Sequence, residues 1–178
     1  MQKYIIYGKT QRKYSKNYIF STIFTIFAAN KQTNLFINMT EDNYPTIEIM
    51  VSEAVGLLKE LITIPSISRE EAKAADKLEA FMIEKGLTTH REGNNIWSMH
   101  EPFDNNKPTL LLNAHIDTVK PASSWQHDPF TPAIEDDKLF GLGSNDCGGG
   151  LVSLLQAFRI LKDLNSPYNL VYLASAEE

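Results

Sequence analysis

"LLLNAHIDTVKP", residues 110–121, decides how the chain is read. Thr109 to Ala114 is a nearly continuous apolar run of strand length, the composition of a strand covered on both faces. It stops abruptly at His115, and Asp117 follows two residues later. On an extended backbone residues i and i+2 point to the same side. Asp117 can therefore accept a hydrogen bond from one imidazole nitrogen of His115, fixing the tautomer and leaving the other nitrogen for a metal. A strand running out into a polar loop would give the same letters, and a lone His-x-Asp by itself favours that plainer account.

The surrounding sequence supplies the frame. Ile47, Met50, Val51, Ala54, Val55, Leu58, Leu61 and Ile62 recur at spacings of three and four, one face of an amphipathic helix. The helix ends near "TIPSIS", where Pro65 removes a backbone donor. Ser68 and Glu71 have the spacing of a capping box, which predicts a second helix from about Arg69 to Lys85, stopped by Gly86. "THREGNNIWSMHE" then holds a turn at 92–95 between short strand-like pieces. Leu151 to Leu164 is helical in period, and Asn169 to Ala176 reads as another strand, ending in Glu177-Glu178. Strands alternating with helices predict an α/β domain with a largely parallel sheet flanked by helices. Ligands in such sheets bind beyond the carboxyl ends of the strands. Two strands here end in ligand-capable residues, His115/Asp117 and Glu177/Glu178, which favours a site over a simple loop.

Between them lies "FGLGSNDCGGGLVSLL", residues 140–155, where glycines crowd around Asp146 just before a helix. Glycine serves where backbone approaches closely or takes positive φ. A phosphate cradle is one reading, but neither G-x-x-x-x-G-K-[ST] nor G-x-G-x-x-G is met, and Asp146 would repel an anion. A carboxylate on a tightly turned backbone suits a cation; the competing reading makes Asp146 a helix N-cap. Neighbouring Glu177 and Glu178 point to opposite sides, so one can ligate a metal while the other acts as general base. Cys147 amid glycines fills tight space; a Cys–His nucleophile pair with His115 lacks a third orienting group. His90, His100 and His127 sit in polar, loop-like surroundings.

The net charge of −5 on 178 residues excludes the basic balance of a nucleic-acid binder. With one cysteine no internal disulfide can form, which fits a reducing, cytoplasmic setting. Residues 1–38 carry six Lys/Arg and no acid, against eleven basic and 22 acidic residues in the remainder. We read 1–38 as a basic N-terminal extension, non-native or disordered, with Met39 as the natural start. Its apolar stretch, Tyr18 to Ala29, is shorter than the ~20 residues a membrane span needs. A secretory signal is the lesser reading, since Ser21, Thr22 and Thr25 interrupt the stretch and no clean small-x-small cleavage site follows.

"HIDTV", "GLGSNDCGGG" and "SAEE", in this order and about 30 residues apart, together resemble the dinuclear zinc metallopeptidase and deacylase family of acetylornithine deacetylase, succinyl-diaminopimelate desuccinylase and aminoacylases. "W-x-x-D-P-F" after the His-x-Asp is also similar to that family. The resemblance runs from about Ile47 to Glu178. It implies that His115, Asp146 and Glu178 ligate metal, with Asp146 bridging two cations and a cis peptide between Asp146 and Cys147. It implies that Asp117 supports the site from behind and that Glu177 is the general base. The cofactor implied is zinc, two divalent cations in the complete enzyme, with cobalt or manganese as alternatives. The substrate implied is a small N-acyl amino acid, in the manner of acetylornithine deacetylase and arginine biosynthesis, or a short peptide in a dipeptidase or carboxypeptidase. A non-catalytic anion-binding module is the rival from another class. No nucleic-acid or membrane partner is implied.

Leu142 and Cys147-Gly148 depart from the family, which often has Arg and Met-Lys there. The family's lid domain, a further carboxylate ligand and a second histidine ligand have no counterpart in the sequence. Residues 39–178 thus read as the N-terminal part of a catalytic domain, expected to bind at most one metal weakly, to be inactive alone, and to expose part of a sheet edge. A homodimer, if formed, would need the missing domain.

Overall fold

The computed structural model describes residues 46–125, 127–164 and 166–177. The basic extension 1–38, the start at Met39 and the carboxylate of Glu178 lie outside the described residues. Helix α1 (Ile47–Ile62) opens at Thr46, whose hydroxyl accepts the Ile49 N–H at 3.4 Å, and Glu48 adds favourable charge in the first turn. Its predicted face is buried through Met50, Ala54, Leu58, Leu61 and Ile62, joined by Leu57. Helix α2 (Ala72–Glu84) ends as expected at Gly86. Gly86 takes φ 74° and donates to Ile83 O, while Leu87 N–H bonds to Met82 O, the two bonds of a Schellman end.

The start of α2 differs from expectation. Ser68 and Glu71 form no capping box, because the Ser68 N–H is taken by Thr118 O at 3.3 Å. The segment from Ser66 to Ser68 runs beside the end of the third strand, where Thr118 N–H also donates to Ser66 O at 2.8 Å. Glu71, fully buried, turns to the Arg69 N–H and to Asn94 Nδ2. A tertiary partner displaced a local cap.

Strands β1 (His90–Glu92) and β2 (Asn95–Met99) form a hairpin whose two-residue turn begins at Gly93, φ 59°. Strand β3 is Thr109–His115, and β4 (Ala133–Glu135) with β5 (Lys138–Phe140) makes a separate small hairpin. A tight turn at Ser144–Gly148 leads into helix α3 (Gly149–Leu161), which connects to strand β6 (Asn169–Ser175). The main sheet has the order β1-β2-β6-β3. The α/β class is as expected, but the sheet is mixed: only β3 and β6 run parallel, with β1/β2 and β2/β6 antiparallel. The reason is local for β1 and β2 and tertiary for β2, which comes to lie antiparallel beside the distant β6. A parallel neighbour needs a long crossover, which α3 provides, whereas the two-residue turn after Glu92 permits only an antiparallel return.

The sheet is packed by helices on one face. Leu112 and Ala114 of β3, Leu170, Tyr172 and Ala174 of β6, and Ile96 of β2 share one core with Leu78 and Met82 of α2 and Leu151, Leu155 and Phe158 of α3. Phe158 and Tyr172 are wholly buried with ring centroids 6.2 Å apart, and each such side chain contributes roughly 1.5–3 kcal/mol of burial. The expectation that β3 is covered on both faces does not hold among the described residues: Thr109, Leu111 and Asn113 alternate outward, and Leu111 is 40% exposed. A run of leucines hid a half-buried strand. Glu53 of α1 ties the helices together, pairing with Arg159 of α3 at 2.5 Å and with Lys85 at 3.0 Å.

Candidate metal centre

The parallel register sets His115 opposite Ser175, so β3 and β6 end together at one edge of the domain. Beyond that point Ile116 N–H still donates to Ser175 O at 2.8 Å, keeping the exits side by side. Ser66, through its Oγ on Ile116 O and its carbonyl on Thr118 N–H, clamps the chain that carries Asp117. Asp117 is buried, 5% exposed.

His115 lies with Nδ1 2.9 Å from the main-chain oxygen of Asp117 and 3.4 Å from its Oδ1. The nearer partner is thus the backbone carbonyl rather than the side chain expected from the His-x-Asp spacing. A carbonyl oxygen only accepts, so this bond places the proton on Nδ1 and turns the lone pair of a neutral ring to Nε2. Nε2 in turn lies 3.2 Å from Oδ1 of Asp146.

Asp146 reaches that place because its loop is tightly closed. Gly143 takes φ 74° and packs so near Thr118 that a Cβ there would lie 2.5 Å from its methyl group. Gly148 N–H bonds back to Gly143 O at 2.8 Å. Asp146 itself is non-helical (φ −126°, ψ 95°), and the peptide to Cys147 is cis, as the resemblance implied. No side chain caps α3, so the N-cap reading of Asp146 fails. Cys147 has its Sγ on His115 O at 3.6 Å, a packing role at the strand end. Upstream, Asp128 accepts from Phe130 N–H and Thr131 Oγ, both at 2.9 Å, which hold its carboxyl below the usual range. Pro129 O accepts Leu142 N–H at 2.7 Å, so the turn at 128–131 is fastened to the glycine loop.

A bare imidazole nitrogen and a carboxylate oxygen are both acceptors, so facing each other they call for positive charge between them. A proton would serve, and so would a metal. Two ligands bound about 2.0–2.1 Å from one zinc at a tetrahedral angle are separated by roughly 3.3 Å, which the spacing of His115 and Asp146 fits. Among the described residues no three His, Cys, Asp or Glu side chains gather into a metal-holding group. Glu178, the third expected ligand, lies outside them.

The structure brings His115, Asp117 and Asp146 together. Glu177 sits two residues past Ser175 at the same sheet end, with φ 60°, its side chain 60% exposed and its Oε2 3.8 Å from Nε of Arg69. Two features at this end have no signal in the sequence. Arg69 takes φ 77°, unusual for a side chain of its kind, and Asn95 Oδ1 accepts the Ala176 N–H at 3.0 Å. His90 stacks on Trp97 and His127 lies by Phe140, and among the described residues neither joins a metal-holding group.

Residues 111–178 match the family described as Peptidase family M20/M25/M40. A succinyl-diaminopimelate desuccinylase of Beijerinckia indica is 30% identical over 116 residues, covering 61% of this chain and 30% of that protein. An M20 family metallo-carboxypeptidase from Sulfolobus solfataricus has the same fold with a TM-score of 0.58 at 25% identity, over 71% of this chain and 31% of that one. A dinuclear metal binding peptidase from the M20 family of Bacillus subtilis shares the fold alone, with a TM-score of 0.52 at 12% identity over 74% and 36% of the two chains. Fold and likenesses are those of metallopeptidases. More narrowly, residues 111–178 are similar to peptidase family M20/M25/M40, and the relatives above are named for that family or for a desuccinylase. It spans about a third of the length of the relatives it matches.

Proposed function

We propose that this chain supplies part of the metal site of an amidohydrolase that cleaves an N-acyl amino acid. The observation that carries the reading is the 3.2 Å approach of His115 Nε2 to Asp146 Oδ1, with Nδ1 held from behind by Asp117. His115 and Asp146 hold the metal, zinc in our reading, and Glu178 is the third donor. Asp146 offers a second carboxylate oxygen for a second cation. When bound, the metal polarises the amide carbonyl and lowers the pKa of water. Asp117 keeps the proton on Nδ1 and the His115 ring in place. Glu177 takes a proton from water at its carboxylate and passes it to the leaving amine. The similarity to desuccinylases supports an acyl group that is itself acidic, as in the succinyl derivatives those relatives are named for. That favours a place in lysine rather than arginine biosynthesis. The carboxypeptidase likeness supports a peptide as the second reading. The compartment in this reading is the cytoplasm.

Isothermal titration of the chain with zinc tests the proposal. His115→Ala and Asp146→Ala should each weaken binding by tenfold or more, about 1.4 kcal/mol. An anion-binding module would leave zinc affinity unchanged in both and gain affinity for phosphate in Asp146→Ala; that result overturns the reading. With the chain as part of a complete catalytic domain, hydrolysis of N-succinyl against N-acetyl amino acids and dipeptides then separates the substrate classes.

A further inference from the structure

Two branches run from one hairpin turn to the segment that carries Glu177. In the first, Asn95 at the start of β2 accepts the Ala176 N–H on its side-chain oxygen at 3.0 Å, while its amide group donates to Glu92 O at 3.3 Å. In the second, neighbouring Asn94 donates to Glu71 Oε2 at 3.0 Å. The other oxygen of Glu71 accepts the Arg69 N–H, and the Arg69 side chain reaches Glu177. Glu71 is 0% exposed, so this linkage is anchored in the core, not on the surface.

The need for an anchor follows from the backbone. β6 ends at Ser175, so the Ala176 N–H is beyond the ladder. Glu177 then adopts a left-handed φ of 60°, which non-glycine residues rarely take without support. A single side-chain acceptor for the Ala176 N–H fixes the Ser175–Ala176 peptide, one residue before that turn. The Arg69 contact is long and exposed and contributes little; the Asn95 bond is the one with good geometry.

We propose that Asn95 is a positioning residue for Glu177, holding the exit of β6 so that the Glu177 carboxylate is presented at the end shared with His115 and Asp146. This rests on the reading of Glu177 as the base. In that role Asn95 touches no substrate, and its oxygen rather than its amide is the working atom. Asn95→Asp keeps the acceptor, whereas Asn95→Ala and Asn95→Ser remove it or withdraw it from reach.

The test uses amide hydrogen exchange on this chain and kinetics on zinc-loaded protein in which the chain is part of a complete catalytic domain. Exchange at Ala176 should accelerate about tenfold or more in Asn95→Ala, with core amides unchanged, and Asn95→Asp should return it toward wild type. With an N-succinyl amino acid as probe, kcat should fall about tenfold in Asn95→Ala at nearly constant KM, and Asn95→Asp should recover it. Should the alanine variant fail to fold, Asn95→Ser is read in its place. Unchanged Ala176 exchange in a folded variant lacking the acceptor overturns the proposal. So does an exchange effect without any fall in kcat. If wild-type protein hydrolyses none of the amides, the reading of Glu177 as a base fails, and the positioning claim falls with it even where exchange responds.

Discussion

Replacing Gly148 by alanine tests the claim that the glycine loop is shaped by close packing around Asp146. Gly148 has helical angles, φ −55° and ψ −39°, so backbone preference alone would welcome alanine. In a helix interior the change from glycine gains about 1 kcal/mol, and at Gly148, which precedes the first turn of α3, the gain is smaller. Space argues the other way. The new Cβ would lie 2.6 Å from Leu58 Cδ1 and 2.8 Å from the carbonyl oxygen of Gly143. Leu58 is a buried core side chain with little room to turn, and Gly143 O is backbone already bonded to the Gly148 N–H. Overpacking costs about 1–3 kcal/mol, and opening that hydrogen bond about 1 kcal/mol more. The clash outweighs the propensity, leaving a net loss of about 1–3 kcal/mol. Gly56, in the middle of α1, is the control: a Cβ there meets nothing within 4 Å, so Gly56→Ala should gain up to about 1 kcal/mol. Urea denaturation of the two variants beside wild type reads both signs. Because the Gly148 shift displaces Asp146, zinc affinity should fall in Gly148→Ala and stay constant in Gly56→Ala. A Gly148→Ala protein as stable as wild type would refute the packing argument.

Asn169, 1% exposed, accepts the Asp104 N–H and donates to Asp104 O and Lys107 O, clasping the turn before β3. Asn169→Ala should cost about 2–4 kcal/mol in denaturation, since it strands several polar groups at once. Burial raises the pKa of Glu53, but the hydrogen bonds from Arg159 and Lys85 outweigh it and hold the carboxyl below its ordinary range. A depressed folded-state pKa gives stability that is present above the unfolded value of about 4.3 and is lost as pH falls through the folded value. The stability advantage of wild type over Glu53→Gln, followed by denaturation midpoint against pH, should therefore shrink below about pH 4.

What the sequence reveals and what it hides divide along the range of the interactions. The face of α1 and the stop at Gly86 depend on neighbours three or four residues away and are legible, and the two strand ends, read at Ala114 and Ala176, fall within one residue of those observed, His115 and Ser175. Asp146 is legible as a special position because glycines surround it. The sense of the sheet is not, since it turns on which strand β2 returns beside. The β4–β5 hairpin is also hidden: its turn is Asp136-Asp137, at φ 48° and 58°, with no glycine to announce it. Glu71 has the spacing of a cap and instead serves Arg69 and Asn94, a choice made by Thr118 some 50 residues away.

The same division governs the site. His-x-Asp spacing brings Asp117 to Nδ1 of His115, yet the closer contact is to the Asp117 main chain, because the chain turns out of β3 beside Ser66 and no longer follows strand geometry. The approach of Nε2 to Asp146 spans 31 residues and has no local code at all. It arises from two independent constraints, a strand end fixed by pairing with β6 and a loop closed from Gly143 to Gly148. Two acceptors brought face to face by separate constraints repel unless a cation lies between them, so this folding pattern builds in an electrostatic demand. A chain selected only for stability would relieve that demand by replacing either residue.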